Sequence, residues 1–387
     1  MNMKSFLWRV YKMKKKVLMV ATYGDFFAAF ETNNIKILND MDIEVTLCAN
    51  WTDPKYNYKT EKLSDLEFKK IDIAFERSPF SKKNITCYFE LKKIMTDNTY
   101  DLIDCHNSVI SVYTRLAAKK TKASKVMYTV HGFQFYENGP KVDWLIYYPI
   151  EKYFSRFADM ILVMNKEDFK YAQKFYSDKV ELIPGVGVDT DYFSPSNDDL
   201  QNLKEEMGIS ESTFIILSIG ELSKRKNHQI VIKALSTIQN KNVIYLIAGV
   251  GDSHENLVNL ARDLDVSDKV KFLGYRSDIN RLLAIADFTI FPSFREGLMI
   301  AGIESLASGT PLLSSNRKGI RDYTEEGKNG FLFDPDDERY LSQLIDYVSS
   351  DYNNYSYLKS NSIEMAKKFD NKVVIEKMEK IYNEVIG

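Results

Sequence analysis

Short apolar runs alternate with helical spacing along nearly the whole chain. Residues 17–21, 43–49, 70–74, 102–105, 126–130, 160–163 and 180–183 read as strands. Between them, 26–39, 88–95, 109–119 and 144–157 carry helical spacing, the last one amphipathic. Residues 185–213 break this rhythm. They lead into Ser194-Pro195-Ser196-Asn197-Asp198-Asp199, a cluster of turn formers that predicts a linker. The alternation then resumes, with strands at 214–219, 243–248, 270–273, 288–291 and 311–313 and helices at 228–238, 256–264 and 279–286. Residues 355–387 are helical and charged. Such alternation predicts an α/β chain of two doubly wound, Rossmann-like domains, 1–193 and 194–365, facing each other across a cleft. Ligands of such sheets bind at the carboxyl ends of the strands.

The stretch after the strand at 288–291 says most about function. From Leu298 to Ala307 the pattern is apolar almost all round, which predicts a buried helix broken by Glu304. A buried carboxylate costs several kcal/mol unless it is paired or hydrogen-bonded, and a polar ligand would supply the partners. Glu296 stands eight positions earlier, at the mouth of that helix. A helical rise of ~1.5 Å per residue separates the two carboxylates by on the order of 10 Å. That is too far for the carboxylate pair of a retaining hydrolase, and it suits contacts to different parts of an extended ligand. Gly297 admits a ligand close to the backbone, and the N–H groups of Leu298 and Met299 are available to hydroxyl or phosphate oxygens.

Three further segments end strands. Gly220-Glu221-Leu222-Ser223-Lys224-Arg225-Lys226-Asn227-His228 opens a helix with three consecutive cations, a place that collects anions. Ala248-Gly249-Val250-Gly251 lacks the third glycine of a dinucleotide fingerprint and reads as a tight turn, and Asp287 reads as structural. Tyr275 and Arg276, after the strand at 270–273, are counted on the same side. In the first half, Gly24-Asp25, His106 and His131-Gly132 follow three strands and converge on one face of the sheet. His131 reads either as a donor to a reacting hydroxyl or phosphate or as a core histidine, and His106 carries the same alternatives. Four histidines so dispersed do not predict a metal site.

Composition narrows the classes. The chain has 387 residues, 44% hydrophobic and 13% aromatic, enough for two sizeable cores. A net charge of -2 argues against a nucleic-acid partner, although residues 1–193 carry 29 Lys and Arg against 25 Asp and Glu and the remainder 23 against 29. Three scattered cysteines, Cys48, Cys87 and Cys105, point to a reducing, cytoplasmic setting. No apolar run reaches transmembrane length. Residues 1–13 mix cations with Phe6, Leu7, Trp8, Val10 and Tyr11. They read either as a weak interfacial anchor on anionic lipid or as a leader ahead of a start at Met13. Lys119, Lys120, Lys122 and Lys125 would add to such a contact or form a solvated helix end.

Together these stretches resemble glycosyltransferase family 4, of GT-B fold, from about Lys14 onward. The resemblance is carried by Pro292-Ser293, Glu296, Glu304 and Ala307-Ser308-Gly309-Thr310-Pro311, by Ile183-Pro184-Gly185-Val186-Gly187-Val188-Asp189, and by Gly220 to Lys226. Asn316 to Asp322, Asn329-Gly330-Phe331-Leu332 and Val20 to Phe26 look like bacterial capsule and exopolysaccharide members. The resemblance implies a UDP-sugar donor, with Glu304 on the ribose, Glu296 and the N–H groups of Gly297 to Met299 on the sugar, and Lys226 on the diphosphate. It also implies that His131 acts from the acceptor side, that residues 366–387 cross back to the first domain, and that transfer is retaining and needs neither metal nor cofactor. The acceptor would be an undecaprenyl-diphosphate-linked glycan at the inner face of the membrane, in capsule, exopolysaccharide or O-antigen synthesis. One departure stands out. Many members have Gly-Arg where this chain has Gly220-Glu221, which leaves Arg225 or Arg317 to replace a bidentate partner. Two alternatives share the scaffold: a sugar-nucleotide epimerase or phosphorylase, and a non-catalytic partner that binds a nucleotide or another transferase.

Overall fold

A computed structural model describes residues 14–54, 60–121, 125–194, 200–350 and 355–387. The leader at 1–13, Lys122 and the turn cluster at 195–199 lie outside the described residues. The chain divides into two compact units. One comprises residues 1–164, 168–186 and 374–387, and the other comprises 165–167 and 187–373.

The first unit is built on a parallel sheet of seven strands: β1 (Lys16–Tyr23), β2 (Glu44–Asn50), β3 (Lys69–Asp72), β4 (Leu102–His106), β5 (Lys125–Val130), β6 (Met160–Val163) and β7 (Lys179–Leu182). Their order is β3-β2-β1-β4-β5-β6-β7. The second unit has six parallel strands: β8 (Phe214–Ile219), β9 (Val243–Ala248), β10 (Val270–Gly274), β11 (Phe288–Phe291), β12 (Leu312–Ser315) and β13 (Gly330–Phe333), ordered β10-β9-β8-β11-β12-β13. Helices cover both faces of such sheets, so central strands are apolar throughout rather than alternating. Val17 to Ala21 of β1 and Ile215 to Leu217 of β8 accordingly have no exposed surface. In each sheet the strand order reverses at one place, between β1 and β4 and between β8 and β11, and the strand ends there are where ligands of doubly wound sheets bind.

Several helices differ from their predicted form. The helix expected at 26–39 is two, Asp25–Phe30 and Thr32–Asp40, separated by Glu31 at φ -120 and ψ 6. Helices Lys166–Ala172, Leu200–Glu206 and Glu338–Ser350 were not predicted, nor was β13. The helix expected from Leu298 begins at Ile300, with Met299 at its N-cap. It is not buried all round: Ile300, Ala301, Glu304 and Ser308 form a half-exposed stripe.

The predicted amphipathic helix spans Lys141–Phe154 and is apolar on both sides: Trp144, Tyr147 and Tyr148 pack on the core, while Val142, Leu145, Ile146, Ile150 and Tyr153 are exposed. Its inner side carries Glu151, 3% exposed. One Glu151 oxygen accepts from Arg115 Nη2 at 3.0 Å and the other from the Tyr128 hydroxyl at 3.0 Å. Arg115, with no exposed surface, also donates through Nε to the Ser111 carbonyl at 3.1 Å and stacks over the Tyr128 ring at 4.1 Å. Burial pushes the Glu151 carboxyl up, against the pull of Arg115. Removing one member of a buried pair strands the other charge. Glu151→Ala is therefore expected to cost about 3–5 kcal/mol, read as a lower midpoint in urea unfolding.

Candidate active site

In the second unit, the loops after β8 and β11 are stitched together by the Phe294 N–H, which donates to the Arg225 carbonyl at 3.0 Å. Arg225 Nη1 reaches Glu296 Oε1 at 2.6 Å and the Arg295 carbonyl at 3.2 Å. Lys226 Nζ lies 2.9 Å from the same Glu296 oxygen and 3.7 Å from Met299 Sδ. A side chain at Gly220 would crowd Lys226, whose Cε is 3.3 Å from the place a Cβ would take. Lys226 is only 8% exposed. Burial pulls the Lys226 ammonium below its usual range, and Glu296 opposes that. Burial pushes Glu296 up, but Lys226 and Arg225 together outweigh it and hold the carboxyl below the usual range. The arrangement is one buried cation, Lys226, and one partly exposed cation, Arg225, sharing one carboxylate, with a net positive charge at a strand end.

The other predicted donor residues fall as follows. The Gly297 carbonyl accepts from Asn165 Nδ2 at 2.9 Å. Leu298 precedes the helix rather than lying in its first turn, because the helix starts two residues later. Glu304 is partly buried, so the expectation of a carboxylate fully enclosed in an apolar interior is corrected: it lies on the less covered side of its helix, with Ile300, Ala301 and Ser308. Arg276 is clamped on Asp278 at 2.8 and 2.6 Å, and Tyr275 is 69% exposed. Arg317 is held by Asp334 at 2.9 Å and Asp336 at 3.2 Å, which leaves Arg225 as the guanidinium beside Glu296. Glu221 is exposed and 4.0 Å from Arg225. Asp287 accepts from the Ile215 N–H at 2.7 Å, a structural role as expected. His228 is buried against the Tyr245 hydroxyl at 2.9 Å.

In the first unit, a cavity of about 270 Å³ opens over the ends of β1, β4 and β5, with Thr22, Tyr23, Arg77, Asn107, His131, Gln134 and Tyr147 among its walls. Gly24 and Asp25 are not in that wall. The Trp51 ring fills the space beside Gly24, 2.2 Å from where a Cβ would lie, and Asp25 is 2% exposed. His106 is also shut away, with no exposed surface, because it lies within β4 and points at the pocket only through other groups. His131 keeps 20% of its side chain exposed.

Behind His131 lies a cluster that the sequence did not predict. Glu31 Oε1 is 3.4 Å from His131 Nε2 and 3.5 Å from His106 Nδ1, and those two nitrogens are 3.3 Å apart. The other Glu31 oxygen accepts from Asn34 Nδ2 at 2.7 Å. His106 Nε2 is 3.6 Å from Asp104, which accepts from the Thr129 hydroxyl at 3.0 Å and faces the Tyr382 hydroxyl at 3.5 Å. Burial lowers His106 to about 4, so it is neutral near pH 7. Burial and the Glu31 charge push Asp104 well above the carboxylate range. Burial also raises Glu31, but the two histidines outweigh it and favour the ionised form. Neither His106 Nε2 nor Glu31 Oε1 completes a hydrogen bond at these distances, so the cluster is a set of close, buried titratable groups behind His131.

The expectation of dispersed histidines is thereby corrected, since sheet order places His106 and His131 on neighbouring strands. Glu31, His106 and His131 are the group among the described residues able to hold a metal ion. Donor separations of 3.3 to 3.5 Å match one face of a tetrahedral zinc site, whose edges are about 3.3 Å for bonds near 2.0 Å. The same triangle also closes as N–H groups directed at one carboxylate.

Two stability predictions follow from these groups. Glu296→Gln leaves Lys226 desolvated without its counter-charge, so a loss of about 3 kcal/mol is expected in thermal unfolding. Burial also lowers His228 to about 4, from an unfolded value near 6.5. The unfolded imidazole binds a proton in that window and the buried one does not, so stability is full above about pH 6.5 and falls toward pH 4. Denaturant unfolding across this range should show the slope, and His228→Gln should reduce it, leaving the part that comes from the equally lowered His106.

Comparison with known proteins bears on both loops. The family described as "Glycosyl transferases group 1" matches residues 199–365, and "Glycosyl transferase 4-like" matches residues 16–165. The chain is 33% identical, over 96% of its length and 97% of the relative, to the Bacillus subtilis protein named "Putative glycosyltransferase EpsD". It is 28% identical, over 68% of its length and 70% of the relative, to the Escherichia coli UDP-Gal:alpha-D-GlcNAc-diphosphoundecaprenol alpha-1,3-galactosyltransferase. The fold is that of Anabaena HepE, solved with UDP and glucose, at a TM-score of 0.79 and 19% identity, covering 96% of this chain and 100% of that one.

Proposed function

The chain belongs to glycosyltransferase family 4, the group 1 glycosyl transferases, and from that membership we propose that it moves a hexose or N-acetylhexosamine from a UDP-sugar to a lipid-linked polysaccharide precursor. The observation that carries this reading is the Arg225–Lys226 pair folded onto Glu296 at the switch point of the second sheet. Adjacent cations at a parallel-strand end, one buried and one partly exposed, favour a diphosphate. The lipid-linked acceptor is supported by the E. coli relative, whose name specifies a diphosphoundecaprenol glycan. The proposed setting is the cytoplasmic face of the membrane, with peripheral contact. Among the described residues no helix is long and apolar enough to cross a bilayer.

In the proposed reaction the bond between the anomeric carbon and the diphosphate oxygen breaks, and UDP leaves. The acceptor hydroxyl attacks from the face that the diphosphate vacates, which retains configuration, and its proton passes to the departing phosphate oxygen. No protein nucleophile is needed. Arg225 and Lys226 stabilise the departing charge in place of a metal, an effect of positioned charge rather than covalent chemistry. Glu304 holds the ribose hydroxyls, and Glu296 with the backbone at Gly297 to Met299 addresses the sugar. The acceptor occupies the cavity of the first unit, where Glu31 orients His131.

A panel of UDP-sugars with a lipid-diphosphate acceptor and EDTA tests this directly. Transfer is expected to persist under chelation. Transfer that vanishes with EDTA and returns with zinc would instead assign the Glu31–His106–His131 triangle to a metal. Glu304→Gln is expected to weaken UDP binding about tenfold in calorimetry, the loss of one charge-assisted hydrogen bond. Glu31→Gln is expected to lower kcat on the order of 10²-fold, with KM for the donor unchanged.

A further inference from the structure

The helix Lys141–Phe154 presents a second apolar face to solvent, besides the aromatic one that it packs on the core. Its exposed positions between Lys141 and Arg156 are Val142, Leu145, Ile146, Pro149, Ile150 and Tyr153, all without charge. Leu145 is 77% exposed and Val142 55%. The spacing is i, i+3, i+4, i+7, i+8, i+11, one continuous stripe along the helix. Meanwhile the carboxylate that would normally face water, Glu151, is spent inside on Arg115. A contiguous apolar stripe of this kind marks a surface that is covered in use.

The rim of the stripe indicates what covers it. Lys141 and Arg156 stand at its two ends. Arg156 lies over the Tyr153 ring at 4.2 Å and the Tyr176 ring at 5.0 Å. Lys152 also approaches Tyr176, at 5.4 Å, and Lys119 lies over Phe157 at 4.2 Å. Aliphatic side chains at the centre, with tyrosines and cations at the edge, follow the composition of a helix lying in a lipid interface. Cations on that edge complement anionic headgroups, where each contributes favourably and is screened by salt. The nearby acids are few: Asp143 is half-buried, and Glu137 lies before the helix.

We propose that the outer face of the helix Lys141–Phe154 inserts into an anionic membrane surface. This deepens the peripheral contact proposed above and rests on it. It assigns that contact to a folded element rather than to residues 1–13. It also connects the contact to the acceptor, because the same helix contributes Tyr147 to the wall of the cavity that holds His131. A lipid-linked substrate then presents its polar end beside the surface in which its tail is dissolved.

Vesicle flotation decides the matter, using phosphatidylcholine alone or mixed with phosphatidylglycerol. Three chains are compared: full length, a start at Met13, and full length with Leu145→Glu, Ile146→Glu and Ile150→Glu. The first two should float with the mixed vesicles and lose binding at high salt. The triple variant should bind at least about tenfold more weakly, since each insertion of a charge opposes partition. Its UDP binding, and its transfer to a water-soluble acceptor, should be unchanged. Leu145→Asn alone, at a highly exposed position, serves if the triple variant misfolds, and should bind less tightly. Equal flotation of the variants and wild type would overturn the assignment while leaving membrane contact in place. Loss of flotation on removing residues 1–12 would return the contact to the leader and also overturn it. A wild-type dimer in sedimentation that the triple variant breaks would show that a second copy covers the face. Flotation without any sugar transfer would support the face and remove the function proposed above.

Discussion

One carboxylate oxygen, Glu296 Oε1, holds the second unit's candidate site together. Without it, two cations on consecutive residues would repel each other in a place with little water to screen them. With it, Arg225 and Lys226 are fixed in position before any ligand arrives, and their charge is only partly neutralised. A site organised in this way is ready for an anion yet not filled by its own side chains. The inter-loop bond from Phe294 to Arg225 adds a backbone tie. At the departure from the common family pattern, Glu221 stands 4.0 Å from Arg225, four residues further along the same loop.

The first unit solves the reverse problem. Beside its cavity it buries carboxylates and imidazoles, where the second unit's site holds cations. Burial pushes the Asp104 carboxyl up and the His106 imidazole down to about 4, and Glu31 has Asn34 and two imidazoles around it. Phe26 packs edge-on against His131 at 4.9 Å and obliquely against His106 at 5.3 Å, so the cluster is walled by aromatic rings. Such a network is sensitive to any single change because each group satisfies another.

Strand placement was legible in the sequence because parallel strands are short, uninterrupted apolar runs with turn signals after them. The loops of the second unit's candidate site were legible for the same reason: Arg225, Lys226 and Glu296 sit at strand ends, where pattern and chemistry coincide. The Glu31–His106–His131 cluster was not. Asp104 lies between apolar neighbours within a strand, and its partner Tyr382 is 278 residues away. Glu31 interrupts what reads as one continuous helix. Glu304 was misjudged because an apolar sequence does not state how much of a helix is covered. The orientation of Lys141–Phe154 was hidden for a related reason. Helical spacing reveals that two faces differ, not which of them looks inward, and here Arg115 claims the acid from 36 positions away.

The assignment of residues 374–387 to the first unit has a consequence for biosynthesis. The first unit is not closed until residues 374–387 bring Tyr382 to Asp104. At ~5–20 residues per second, roughly 10 to 40 seconds separate the end of the first sheet from the arrival of its closing helix. During that interval the nascent first sheet carries its buried acid and imidazoles without their final cover. The half of the protein made first is thus the half finished last, and it is the one with most need of a chaperone while translation continues.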